Sequence, residues 1–247
     1  MSSNPRVGDL INKNVPQHVA LIPDGNRRFA KRLLKRPWKG HEWGLEQIKK
    51  VFNWCKELDI KIMTVYALSI ENFDKRPKRE VNYLLSLARK EIKDAIKNKN
   101  HFIHKDKVKM TFFGKLEVLP KDLQKEMKTL MKQTENYPDY VINVAVAYGG
   151  RQEILDACRN IAKEVEKGKL KASEINESVI KRNLYTNGYA DPDLIIRTSE
   201  QRLSGFLLWQ TAYSEFAFID TLWPDLTKKQ FFQAINNYSK RERRLGQ

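Results

Sequence analysis

With 247 residues, 41% of them hydrophobic, the chain can bury a core of its own, which excludes wholesale disorder and leaves room for one domain or two. Forty-six Lys and Arg against 30 Asp and Glu give a net charge of +16, so the expected partners are anionic: nucleic acid, a membrane surface or a phosphorylated small molecule. No run approaches the roughly 20 apolar residues of a spanning helix, and the opening Met1-Ser2-Ser3-Asn4-Pro5 lacks the pattern of a secretion signal, so a soluble, cytoplasmic protein is expected.

In chain order, short apolar β-rich runs at 18–22, 61–68, 107–113, 140–147, 193–197 and 216–220 read as strands. Segments of helical period at 26–35, 42–58, 78–98, 121–135, 152–168, 173–183 and 227–244 read as helices. The alternation predicts an α/β fold, a single domain built on a mostly parallel six-stranded sheet with helices on both faces. Without a repeat or a Pro/Gly/Ser-rich linker, one domain over 1–247 is expected, with 1–16 as an N-terminal extension. Cys55 and Cys158 both fall within helical stretches and read as buried, reduced thiols.

Open α/β sheets bind ligands beyond the carboxyl ends of their strands. The first such end runs Ile22-Pro23-Asp24-Gly25-Asn26-Arg27-Arg28 into a helix. Gly25 allows close backbone approach, Asn26 is the expected N-cap, and the helix start offers free N–H groups to a phosphate. Seven Lys or Arg and no acid occupy positions 27–39. A lone carboxylate among so many cations, Asp24 is better explained by Mg²⁺ bridging it to a diphosphate than by a cap.

His41, in Gly40-His41-Glu42-Trp43-Gly44, fails the H-E-x-x-H zinc pattern because position 45 is Leu45. It reads first as a packing residue at a helix start, with a phosphate contact as the alternative. After the second strand, Ser69, Asn72 and Arg76 can bond an anion and Phe73 can stack on an apolar group. Gly149-Gly150 ahead of Arg151 reads equally as turn punctuation or as part of a site. The fifth strand ends in Arg197, followed by Arg202 and Ser204, a second anion seat in which arginine offers bidentate geometry to phosphate. Glu215 is an acid flanked by core-like residues and needs a partner or a metal. The P-loop, G-x-G-x-x-G, D-D-x-x-D and G-x-S-x-G signatures are all missing from the sequence.

Taken together, these residues resemble the cis-prenyltransferase family, that of the undecaprenyl diphosphate synthases, in its archaeal type. The resemblance runs from about His18 to Gly246. It rests on His18-Val19-Ala20-Leu21-Ile22-Pro23-Asp24-Gly25-Asn26, Gly40-His41, Tyr66-Ala67-Leu68-Ser69-Ile70-Glu71-Asn72, Tyr148-Gly149-Gly150-Arg151, Ile196-Arg197-Thr198, Arg202-Leu203-Ser204 and Phe206-Leu207-Leu208-Trp209-Gln210 leading to Glu215. It implies a Mg²⁺-dependent enzyme that condenses isopentenyl diphosphate repeatedly onto an allylic diphosphate, making a long polyprenyl diphosphate for a glycosyl carrier lipid.

By that resemblance Asp24 is the catalytic acid holding Mg²⁺, with Glu215 as a second metal carboxylate. Gly25, Asn26, Arg27, Arg28 and Phe29 line the allylic seat, and Arg36 and His41 support it. Ser69, Ile70, Glu71, Asn72, Phe73 and Arg76 match the loop that positions substrate and relays the departing proton. Arg197, Arg202, Leu203 and Ser204 match the isopentenyl diphosphate seat. Arg244 and Gly246 match a C-terminal tail, within 227–247, that reaches across a homodimer. An apolar tunnel for the product is expected along the 81–87 side of the third helix.

The chain departs from the family pattern in three places: Pro37 stands where an arginine is usual, Asp74-Lys75 adds a residue before Arg76, and the stretch from Arg197 to Gly205 is one residue short. A non-catalytic partner subunit is the rival within the resemblance, and retained Asp24, Asn72, Arg197, Arg202 and Glu215 argue against it. A nucleic-acid-binding protein is the rival outside it, but no RNA-binding motif is present and no nucleic acid is expected. The lipid product and the eight Lys/Arg against three acids at 89–109 predict peripheral contact with anionic lipid.

Overall fold

The computed structural model describes residues 14–241. Six strands, β1 (His18–Ile22), β2 (Ile62–Ser69), β3 (Val108–Phe113), β4 (Tyr140–Tyr148), β5 (Leu194–Thr198) and β6 (Glu215–Ile219), form one sheet in the order β3-β4-β2-β1-β5-β6. Every pairing is parallel. The helices are α1 (Asn26–Arg32), α2 (Gly40–Glu57), α3 (Ile70–Lys75), α4 (Lys78–Lys97), α5 (Phe102–Lys105), α6 (Lys121–Thr134), α7 (Gly150–Glu166), α8 (Glu177–Asn183) and α9 (Lys228–Ser239).

Strand residues alternate between the two faces of the sheet, which both become buried. Val19, Leu21, Met63 and Val65 join the larger core, where they meet Phe52 of α2, Ile92 of α4, Met127 of α6 and Phe231 of α9. Ala20, Ile22, Tyr66 and Tyr148 point the other way, onto Phe206 and Leu207. On this second face a row of polar groups crosses four adjacent strands. The Thr111 hydroxyl donates to Asn143 Oδ1 at 2.5 Å, and Asn143 Nδ2 donates to Thr64 Oγ1 at 3.0 Å. Thr64 in turn bonds His18 Nε2 at 2.7 Å, and His18 Nδ1 donates to the Ala190 carbonyl at 2.9 Å. The carbonyl can only accept, so it fixes the imidazole tautomer.

Two expected elements differ. The helix expected over 26–35 stops at Arg32: Leu34 turns into the left-handed region with φ 56°, and the N–H of Lys35 closes back on the Ala30 carbonyl at 2.9 Å. Pro37 disfavours helical backbone at Arg36, which is extended with ψ 134°. A leucine in that left-handed position costs about 1 kcal/mol that glycine would not. Where a loop was expected after β2, α3 forms instead, with Ser69 Oγ accepting from the Asn72 N–H at 3.1 Å as its N-cap. Cys55 is buried as expected and Cys158 is exposed. The buried stripe of α7 runs Glu153, Ala157 and Ile161, and Cys158 sits one place off it. Among the described residues, no helix is long and apolar enough to cross a membrane.

Candidate active site

From β1 the chain winds to one side through β2, β3 and β4, and returns to the other side for β5 and β6. This reversal opens a crevice at the carboxyl end of β1, where open parallel sheets take their ligands. A cavity of about 920 Å³ occupies it, in the upper part of the range for small-molecule sites. Asp24, Gly25, Asn26, Arg27 and Arg28 line it from β1 and α1. His41, Ser69, Glu71, Asn72 and Arg76 line it on one flank, and Arg197, Arg202 and Ser204 on the other.

Asp24 is pinned by its backbone. Its N–H donates to Thr198 Oγ1 at 3.0 Å, and its carbonyl accepts from the Thr198 hydroxyl and the Trp223 N–H, both at 2.8 Å. Gly25 follows at φ 102°, and a Cβ there would meet Ser199 Oγ at 2.7 Å; the sharp entry into α1 needs glycine. The expected cap is displaced by one residue: Gly25 is the N-cap and Asn26 the first helical residue. The Asn26 amide instead donates to the Pro23 carbonyl at 3.3 Å.

The Asp24 carboxylate is one-third exposed, toward cations. Oδ1 accepts from the Gly25 N–H at 2.6 Å and faces Arg28 at 3.5 Å, while Oδ2 accepts from Arg197 Nη2 at 2.8 Å. The Arg197 guanidinium is 3% exposed and also donates to Ser204 Oγ at 2.7 Å and to the Arg202 carbonyl. Its Nε is buried with no protein partner. A buried donor left open at a cavity wall suits an anionic ligand. The glycine pair after β4 brings the opposite rim close: the Gly150 N–H donates to the Gly205 carbonyl at 2.8 Å, and a Cβ on Gly150 would sit 2.6 Å from that oxygen.

Behind the cavity lies a carboxylate that the sequence reading did not single out. Glu80, 2% exposed, stands 3.3 Å from Arg76, 3.4 Å from His41 Nε2 and 3.7 Å from Arg27. All three basic groups also line the cavity. Burial, reinforced by the Arg76 charge, pushes His41 down to about 4, so the imidazole is neutral near pH 7. Burial also lowers Arg76 from its ordinary value.

A family model described as "Putative undecaprenyl diphosphate synthase" matches residues 22–246. The chain belongs to the cis-prenyltransferase family. A curated relative in Methanopyrus kandleri, named tritrans,polycis-undecaprenyl-diphosphate synthase (geranylgeranyl-diphosphate specific), is 46% identical over 94% of this chain and 85% of its own. The protein of the same name in Thermoplasma acidophilum is 40% identical over the whole of both chains. Lavandulyl diphosphate synthase from Lavandula x intermedia, solved with dimethylallyl diphosphate, superposes with a TM-score of 0.86 at 34% identity, over 94% of this chain and 99% of that one.

As a cis-prenyltransferase the chain is a transferase, and most residues expected from the family motifs meet in its cavity. Six do not line it. Phe29 packs edge-on against Trp43 at 5.4 Å between ring centroids. Arg36 lies over the Trp38 ring at 5.6 Å. Ile70 and Phe73 pack against the larger core, because α3 turns both toward the sheet. Leu203 packs against the second-face cluster. Glu215 pairs in register with Leu194, at the amino end of β5, so it stands at the opposite edge of the sheet from Asp24 and pairs with Arg241 instead. Arg244 and Gly246 lie outside the described residues. The residue added before Arg76 is absorbed by α3, and Arg76 still reaches the cavity. The shortened loop closes through left-handed Ser204 and Gly205, at φ 50° and 79°.

The cavity fits magnesium through Asp24. Mg²⁺ takes one or two carboxylates together with substrate phosphates and water, and Asp24 offers a fixed, partly exposed carboxylate among phosphate-binding cations. Glu215 of the same chain is not part of that donor set.

Proposed function

We propose that this cis-prenyltransferase adds isopentenyl diphosphate repeatedly to geranylgeranyl diphosphate, forming a long polyprenyl diphosphate that serves as precursor of a glycosyl carrier lipid. The observation that carries this reading is the Arg197 guanidinium, which joins the Asp24 carboxylate to Ser204 and so ties two anion seats at one crevice. The starter is taken from the specificity in the names of the curated relatives.

In this reading the allylic diphosphate lies between Asp24, Arg27, Arg28 and Arg76, and isopentenyl diphosphate against Arg197, Arg202 and Ser204. Magnesium bound at Asp24 supplies charge neutralisation for the diphosphate as the allylic carbon–oxygen bond breaks. The arginines stabilise the same developing charge through fixed N–H donors. Neutral His41 offers a hydrogen bond without adding charge. Asn72, held at the start of α3 by the Ser69 cap, faces the cavity where the proton is lost from isopentenyl diphosphate. The growing hydrocarbon follows the apolar side of α4, where Leu84 and Leu85 are only partly buried and Leu85, Pro120 and Leu123 border a hollow of about 480 Å³.

The working unit is a homodimer formed across β6. That edge strand carries Phe218 at 40% exposure beside a hollow of about 490 Å³ against α9, and an exposed apolar edge calls for cover. The lipid product places the enzyme in the cytoplasm, in peripheral contact with a membrane. The test is incubation with Mg²⁺, isopentenyl diphosphate and, in turn, geranyl, farnesyl and geranylgeranyl diphosphate, with products weighed by mass spectrometry. Elongation from geranylgeranyl diphosphate, lost in Asp24→Ala, is the expected result; no elongation from any starter overturns the proposal.

A further inference from the structure

The chain between α1 and the turn at Pro37–Lys39 projects as a short tip, Lys31-Arg32-Leu33-Leu34-Lys35-Arg36. Leu34 is 96% exposed and Leu33 43%. Single exposed leucines are common on protein surfaces, but these are adjacent, project at a turn, and put Leu34 where the backbone favours glycine. Nothing in the fold is gained from that choice, since the Leu34 side chain packs on almost nothing.

The surroundings of the two leucines are uniformly basic. Seven Lys/Arg and no acid occupy 27–39. Arg32 is paired with Asp225 and Lys39 with Glu42, whereas Lys31, Lys35 and Arg36 form no ion pair among the described residues. Trp38 lies beneath, with the guanidinium groups of Arg36 and Arg79 over its ring at 5.6 and 5.2 Å. Apolar side chains ringed by unpaired cations match the interface of an anionic bilayer, which takes the leucines among its headgroups and the cations against its phosphates. The segment 89–109 is less suited to that task. Its Arg89 is engaged by Asp122 and Glu126, and Lys93 by Glu126.

We propose that the 31–36 tip is the surface by which this enzyme docks on anionic lipid. This deepens the prenyltransferase reading and rests on it for the reason a lipid surface matters. The tip belongs to the same edge of the molecule as the substrate cavity, which Lys31 itself lines. Docking there brings the mouth of the cavity to the headgroups, where amphipathic diphosphates reside.

The test is sedimentation of the full chain with phosphatidylcholine vesicles, with and without about 30 mol % phosphatidylglycerol, at low salt. The wild type is expected to bind the anionic vesicles and not the neutral ones. Leu33→Ser/Leu34→Ser and Lys35→Glu are each expected to weaken binding about tenfold. Leu34→Gly relieves the backbone while deleting the side chain, so it is expected to hold or raise the melting temperature and still weaken binding, which separates lost docking from lost folding. Lys97→Glu/Lys99→Glu, in the other basic segment, is expected to bind as the wild type does. Absence of wild-type binding overturns the proposal, as does binding that survives the leucine changes. Condensation with geranyl diphosphate in vesicle-free buffer is read separately: its absence counts against the catalytic reading whatever the vesicles show, and its retention in the leucine variants confirms their fold.

Discussion

Arg197 Nη2 donates to Asp24 Oδ2 at 2.8 Å across the join between β1 and β5. A charged pair with only one member buried is well placed to work on a ligand: the arginine is fixed by its fold and the carboxylate remains partly open. Arg197→Lys keeps the charge and loses the fork that spans Asp24 and Ser204. Its kcat is expected to fall by about 10²-fold or more, measured by steady-state incorporation of labelled isopentenyl diphosphate. Wild-type rates in Arg197→Lys would mean that the fork is dispensable.

Glu80 holds Arg27, His41 and Arg76 from behind. Glu80→Gln preserves shape and removes the charge that orients the two arginines, and displacement of positioning groups by even 1 Å can cost about 10²-fold. A fall in kcat/KM of about tenfold is expected, greater than any loss of folded protein at the assay temperature. Glu80→Asp is expected to recover less than half of it, because the shorter side chain withdraws from all three partners. Unaltered kinetics in Glu80→Gln would assign the cluster to folding alone.

Two buried imidazoles link stability to pH. Burial lowers both His18 and His41 to about 4 from an ordinary 6.5. Between those values the unfolded chain binds more protons than the folded one, so their contribution is complete above about pH 6.5 and is lost as pH falls toward 4. The expected slope is about 1.4 kcal/mol per pH unit for each histidine at its steepest. Urea melts across that range would measure it, and His18→Gln should flatten the slope; a profile that is level in the wild type counts against the burial argument.

The exposed Phe218 on edge strand β6 gives a test of assembly. Phe218→Glu places a charge on the apolar edge and is expected to convert dimer to monomer in light-scattering chromatography at micromolar concentration. A dimer that survives the change would move the interface elsewhere.

The legible part of this protein is the part written in consecutive residues. Strand ends announce themselves by apolar runs stopping at Pro23, Ser69, Tyr148 and Thr198, so the crevice and its Asp24, Asn72 and Arg197 could be placed without coordinates. Glu80 could not, because in Lys78-Arg79-Glu80-Val81 it reads as one more charge on a solvated helix face. Its spacing of four from Arg76 and its position beside buried Val81 were the available signals. Glu215 fails for a different reason. A motif fixes which residue begins β6 but not its register against β5, and that register places the carboxylate at the far edge. Cys158 and Phe73 turn on a single step of helical phase, finer than an apolar pattern resolves.

The polar row through Thr111, Asn143, Thr64 and His18 gives the sheet a key. Each side chain satisfies its neighbour on the adjoining strand, so a slip of one residue in any strand would open the row and bury unsatisfied groups. The same reciprocity constrains how the protein can change. An apolar replacement at one position strands the next, so viable sequences must exchange these residues in concert, and a designer seeking to repack this face would have to redesign four strands at once.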